Sequence, residues 1–67
     1  MKAQYDAKMI EAEIAHLSTL RDRALIAVRD EAKPKEVRDY HEGKAIAYST
    51  GISSLTRLLN ASQKVAA

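Results

Sequence analysis

The sequence predicts an all-α fold, an antiparallel two-helix hairpin that oligomerises into a helical bundle. Apolar residues recur every three or four positions along two long stretches, which is the period of an α-helix. The only proline lies between those stretches. The chain has 67 residues and no cysteine. No disulfide can therefore reinforce the single contact surface between the two helices, which we call the seam. Scaffolds of this size usually associate with further copies, and we therefore expect a homo-oligomer.

Helix one is expected over about residues 3–32. One face carries the apolar stripe Ile10, Ile14, Leu17, Ala24 and Val28. Arg21 falls on the same stripe. Its stem could pack while the guanidinium reaches water, or it could be an inward-facing cation that awaits an acidic partner or a ligand.

The turn is expected at about residues 33–35, in the segment EAKPKE. Pro34 disfavours helical geometry for the residue before it and suits the first turn of a new helix. Two exposed ion pairs at four-residue spacing should follow, Lys35 with Asp39 and Arg38 with Glu42. These charges indicate a solvated start of helix two.

Helix two is expected over about residues 35–63, which makes residues 1–67 a single domain. Its predicted apolar face consists of Val37, His41, Ala45, Tyr48, Ile52, Leu55 and Leu59. Gly43, Ala47 and Gly51 place a small residue at every fourth position, which would permit close approach by another helix. Five apolar residues lie partly off the main stripes and are candidates for contacts between chains: Leu20, Leu25, Ile26, Leu58 and Leu59.

The segment AYSTGISSLTRLLN, residues 47–60, combines leucines at helical spacing with a glycine and several hydroxyl residues. Glycine costs a helix interior about 1 kcal/mol relative to alanine, and Ser and Thr about half of that. Two explanations for this loss of helix propensity are open. The hydroxyls could bond to carbonyls one turn earlier while the small residues allow close helix packing, or these residues could make polar contacts to a small ligand. After Glu42 the chain carries Lys44, Arg57 and Lys64 but no acid, and such a positive field suits a compact anion.

Several classes of function find no support in the sequence. His16 and His41 are expected on different helices without a metal-binding spacing, and HEGK at 41–44 lacks the second histidine of a zinc-protease helix. We expect no catalytic residues, no metal and no cofactor. The basic residues are not clustered on a recognition helix, so DNA is not an expected partner.

No membrane association is expected either. The longest uncharged stretch, residues 45–56, is well short of the roughly 20 residues that a membrane-spanning helix needs. Acidic residues interrupt the N-terminal stretch where a secretion signal would have an apolar core. A cytoplasmic location is therefore expected.

The stretch TGISSLTRLL, residues 50–59, resembles the last helix of the phage anti-CBASS sponge proteins. These small helical hairpins sequester cyclic oligonucleotide signals of bacterial defence, and a related hairpin occurs in anti-Thoeris proteins. The resemblance implies a non-catalytic counter-defence protein in the host cytoplasm that holds cyclic di- or trinucleotides between protomers. It implies that Arg57 contacts phosphate, with Thr50 and Gly51 beside it.

Physical reasoning gives the remaining candidate residues a role at the same site. The hydroxyls of Ser53 and Ser54 would complete the polar contacts, and Lys64 would add positive charge. Tyr5 is the tyrosine best placed to stack on a base, since Tyr48 is expected in the core.

A different function remains open alongside this one. The hairpin could be a protein-interaction module without a nucleotide ligand, for instance a phage inhibitor or an antitoxin-like oligomer. The line Gly43–Ala47–Gly51 would then be the docking groove for the partner.

Overall fold

Two packed helices make up the computed structural model, which describes residues 6–66 and the side chains of residues 6–62. Helix α1 is Ala7–Arg29 and helix α2 is Lys35–Ala66. Arg38 lies against Val28 near the turn, and Gly51 lies against Leu17 further along, so the helices run antiparallel. The molecule measures 51 × 17 × 14 Å. The predicted all-α hairpin is confirmed, and oligomerisation stays a prediction.

Side-chain caps set both ends of α1. Asp6 is the N-cap, and its Oδ1 accepts a hydrogen bond of 2.9 Å from the amide of Met9. At the other end, Asp30 Oδ1 accepts from the amide of Ala32 at 3.0 Å. The amide of Ala32 thus bonds to a side chain in a local turn and not to a backbone carbonyl of α1. The predicted end at about position 32 was therefore too late, because the helix stops at Arg29.

Helix α2 begins at Lys35 as predicted and continues past position 63. Lys35 Nζ lies 2.7 Å from Asp39 Oδ2, and this hydrogen bond and charge raise the pKa of Lys35. The expected ion pair between Arg38 and Glu42 does not form. Arg38 Nε instead donates to the carbonyl oxygen of Val28 at 3.0 Å, because the last carbonyls of a helix lack intrahelical partners.

The seam between the helices follows the predicted stripes. Every residue of the α1 stripe, Arg21 included, is buried or half-buried. On α2 the predicted face is likewise turned inward, except that Val37 at the turn is 38% exposed. Arg21 Nη2 lies 3.3 Å from Asp22 Oδ1, so its charge is paired at the rim of the seam. The periodicity therefore located the contact surface of both helices.

The seam nevertheless buries little. Among the described residues, the buried hydrophobic side chains are Ile10, Ala24 and Ala45, and none is fully enclosed. The chain exposes 5347 Å², whereas a compact folded monomer of this mass exposes about 4,200 Å². Six large apolar side chains within residues 6–62 remain exposed: Met9, Ile26, Val37, Tyr40, Ile46 and Leu58. The isolated hairpin thus has a core that is small for its surface.

Candidate functional site

The hydroxyl-rich segment of α2 faces solvent in the single chain. Thr50, Ser53, Ser54 and Arg57 are all exposed, whereas Gly51 is half-buried. Thr50 and Arg57 are seven residues apart and so lie on nearly the same side of the helix. Four of the predicted ligand-binding residues are therefore accessible to another molecule.

Back-bonding accounts for part of the hydroxyl content. Thr50 Oγ1 donates to the carbonyl oxygen of Ile46 at 3.1 Å, and Thr56 Oγ1 donates to that of Ile52 at 2.8 Å. These bonds keep each threonine hydroxyl occupied within its own helix. Thr50 would have to give up its bond before it could donate to a phosphate.

Gly51 has a packing role. A Cβ atom at this position would lie 3.2 Å from Leu17 Cδ1 of α1, which is tighter than ordinary contact. A Cβ atom at Gly43 would meet nothing within 4 Å, and Ala47 is exposed. The small-residue line Gly43–Ala47–Gly51 therefore does not form one continuous groove for α1, because only its last member reaches that helix.

The flank of the hairpin beside these residues contains an open groove of about 430 Å³, which we call the hydroxyl groove. Its lining residues include the hydroxyl residues Ser49, Thr50 and Ser53 and the carboxylate of Glu42. Arg57, Gly51 and Ser54 are not part of its lining. The lining of this groove therefore combines Thr50 and Ser53 with the carboxylate of Glu42, more than two turns away along α2, while Arg57 lies one turn beyond Ser53 and outside the lining.

Two predicted ligand-binding positions lie outside what the structure describes. Tyr5 precedes the described residues, and the side chain of Lys64 follows them. The roles of Tyr5 in base stacking and of Lys64 as an added positive charge stay predictions.

A second groove carries the chemistry that the first one lacks. It measures about 250 Å³ and is lined by Arg23, His41, Lys44 and Tyr48 over a floor of Leu20 and Ala24. We call it the basic groove. It combines two cations, an imidazole and a phenol, and it contains no carboxylate among its lining residues. Both helices contribute to it.

Aromatic contacts position two members of the basic groove. The ammonium of Lys44 lies 5.3 Å from the centroid of the Tyr40 ring, a cation–π contact. The Tyr40 and His41 rings meet edge to face, with centroids 5.3 Å apart and planes at 68°. Aromatic packing therefore constrains both Lys44 and His41.

Sequence reasoning missed the basic groove. His41, Lys44 and Tyr48 follow helical spacing on α2, so their common side could be predicted from the sequence. Arg23 joins them only through the register of the two helices, which places Ala24 beside this part of α2. Hydrophobic periodicity identifies faces but does not fix that register.

Over the described range, no group of three or more His, Cys, Asp and Glu side chains could hold a metal ion. Neither helix, over the residues searched, combines the length and the apolarity that crossing a bilayer requires.

Comparison with known proteins places no further constraint on the site. No protein-family model matches the chain, and no curated protein or solved structure matches it significantly.

Proposed function

We propose that this chain is a non-catalytic helical interaction module that completes its core by packing against further copies of itself. The area that the single chain leaves exposed carries the proposal. It exceeds that of a compact monomer by about 1,100 Å². A standard protein interface removes about 800 Å² from each partner. One interface of ordinary size would therefore bring the exposed area close to that of a compact protein.

The apolar end of the hairpin is the best-supported place for this contact. An open groove of about 370 Å³ lies there, lined by Met9, Ile10, Leu55 and Leu58 with a single carboxylate from Glu13. Met9 is 51% exposed and Leu58 is 52% exposed. Large apolar side chains gathered around one groove favour association, whereas single exposed ones are ordinary on a surface.

Matched substitutions test the proposal. Leu58→Ser removes an apolar side chain beside this groove, whereas Ile46→Ser removes one that is 63% exposed on another flank of α2. Sedimentation velocity at several protein concentrations should show that the unmodified chain and Ile46→Ser associate, and that Leu58→Ser shifts toward the monomer. Association that is equal in all three chains would contradict the assignment of this groove.

Sequestration of a cyclic di- or trinucleotide in the manner of the phage sponge proteins is a second candidate function. The observation that favours it is the exposure of Thr50, Ser53, Ser54 and Arg57 along one stretch of α2. A neighbouring protomer would have to cover these residues to form a closed crevice. This candidate function thus depends on the association proposed above, and it includes counter-defence only if the ligand is an immune signal.

Isothermal titration against a panel of cyclic di- and trinucleotides tests this second function. Saturable heat should be measured with at least one of them. Arg57→Ala should abolish it without loss of helicity, whereas Arg29→Ala, an exposed cation at the end of α1, should not. Absence of heat with every nucleotide would leave the interaction module as the only proposal.

A further inference from the structure

The basic groove differs from its surroundings in its charge. Arg23 and Lys44 bring two cations from different helices to the same groove. Asp22 is adjacent to Arg23 in sequence, but its carboxylate is bonded to Arg21 at 3.3 Å, and it does not line the groove. The described residues form no ion pair with either Arg23 or Lys44. Within the part of the chain that the structure describes, no carboxylate therefore pairs with either positive charge.

One residue that lines the groove, His41, carries a buried nitrogen without a partner. His41 Nδ1 is the single buried side-chain nitrogen or oxygen, within the described part of the chain, that has no hydrogen-bond partner. Buried polar atoms in folded proteins are nearly always hydrogen-bonded, so this nitrogen is a group that the single hairpin leaves unsatisfied. The His41 ring is one of the lining residues, and Tyr40 constrains its orientation.

The groove also offers aromatic and apolar surface. Tyr48 lines it, and Leu20 and Ala24 form its floor. A bare inorganic anion would use only the cations and the imidazole. An anion that carries a flat or apolar body would use all of these groups, since ligand sites combine apolar lining with a few polar groups that fix orientation.

We propose that the basic groove binds a small organic phosphate. Arg23 and Lys44 donate to the phosphate oxygens, and the His41 ring lies beside them in the groove lining. Guanidinium suits phosphate because it offers parallel N–H donors, and ammonium adds a compact charge. The body of the ligand lies on Tyr48 and the apolar floor. This site is independent of Arg57, of the hydroxyl groove and of the association surface at Met9 and Leu58.

Two probes test the site in the full chain: adenosine monophosphate as a model organic phosphate, and adenosine as its uncharged counterpart. Proton NMR of the histidine ring hydrogens reports directly on the groove, because the chain has only two histidines. His16 is exposed on α1 and does not line the groove, so it is an internal control. At fixed pH and ionic strength, the monophosphate should shift the His41 resonances saturably and leave those of His16 in place. Adenosine should bind far more weakly.

Charge-neutralising variants complete the test. Arg23→Gln and Lys44→Gln should each weaken binding of the monophosphate by about tenfold, since each removes a charge-assisted hydrogen bond. Arg29→Gln removes the same charge at an exposed position outside the groove, at the end of α1, and should change the affinity little. Circular dichroism verifies that each variant is as helical as the unmodified chain.

Three results would overturn the proposal. The first is absence of a saturable His41 shift at millimolar monophosphate. The second is equal weakening by Arg29→Gln and Arg23→Gln, which would indicate diffuse attraction to a basic chain. The third is equal affinity for adenosine, which would mean that phosphate is not the recognised group. None of these results bears on self-association, so this inference and the proposed function can fail separately.

Discussion

The two glycines of α2 provide the sharpest test of how the helices pack. A methyl group at Gly43 meets nothing within 4 Å. Gly43→Ala therefore changes only helix propensity and should stabilise the fold by about 1 kcal/mol. For a domain of this size, that gain raises the melting temperature by about 4–8 °C.

Gly51→Ala gains the same propensity but meets Leu17. The new Cβ would lie 3.2 Å from Leu17 Cδ1, so the leucine must move by a few tenths of an ångström. Overpacking of this kind costs about 1–3 kcal/mol. The net effect should therefore range from none to a loss of about 2 kcal/mol. When Leu17 is shortened to alanine, Gly51→Ala should recover the stabilisation that is expected at Gly43, because the opposing atom is gone.

Urea unfolding followed by circular dichroism, at one fixed protein concentration, measures these differences. The Leu17–Gly51 double-mutant cycle isolates the contact. Equal stabilisation of the fold by Gly51→Ala and by Gly43→Ala would refute the close packing of Leu17 against Gly51. A loss of stability in Gly43→Ala would show that another helix uses the exposed side of Gly43, as the small-residue line had suggested.

Three further predictions concern the ends of the helices. Arg38→Gln should lower the free energy of unfolding by about 1–2 kcal/mol, because the carbonyl of Val28 loses a charged donor; urea titration measures it. Asp6→Ala removes the N-cap of α1 and should lower the free energy of unfolding by about 1 kcal/mol, whereas Asp6→Asn should keep most of that stability. Amide hydrogen exchange in the first turn of α1 measures the difference. Asp39 raises the pKa of Lys35 above 10.5, so the stability due to this pair is present below pH 10.5 and is lost as the pH rises through the raised value. A pH series of melting temperatures should therefore show a smaller alkaline decrease in Lys35→Gln.

The hairpin itself was predictable because its signals are local. Pro34 marks the turn, and the three- and four-residue spacing of apolar side chains marks the inner face of each helix. The end of α1 was not predictable to the residue, since it depends on whether Asp30 bonds to a nearby amide or leaves the helix to continue. Arg38 was assigned to an exposed ion pair because sequence spacing does not reveal a carbonyl on the other helix.

The candidate site was less predictable than the fold. Thr50, Ser53 and Arg57 attract attention in the sequence because they interrupt a leucine-rich helix. The lining of the hydroxyl groove includes Glu42 and leaves out Arg57, although Arg57 follows Ser53 by only one helical turn. The uncompensated cations of the basic groove belong to different helices, and only the helical register brings them together.

The dependence of helicity on protein concentration tests the central claim most directly. If the single seam is too small to support the fold, dilution should shift the equilibrium toward unfolded single chains. Circular dichroism from high to low micromolar protein should therefore show a falling melting temperature and a loss of helicity. A melting temperature that stays constant on dilution, together with full helicity and a monomeric mass, would contradict the account.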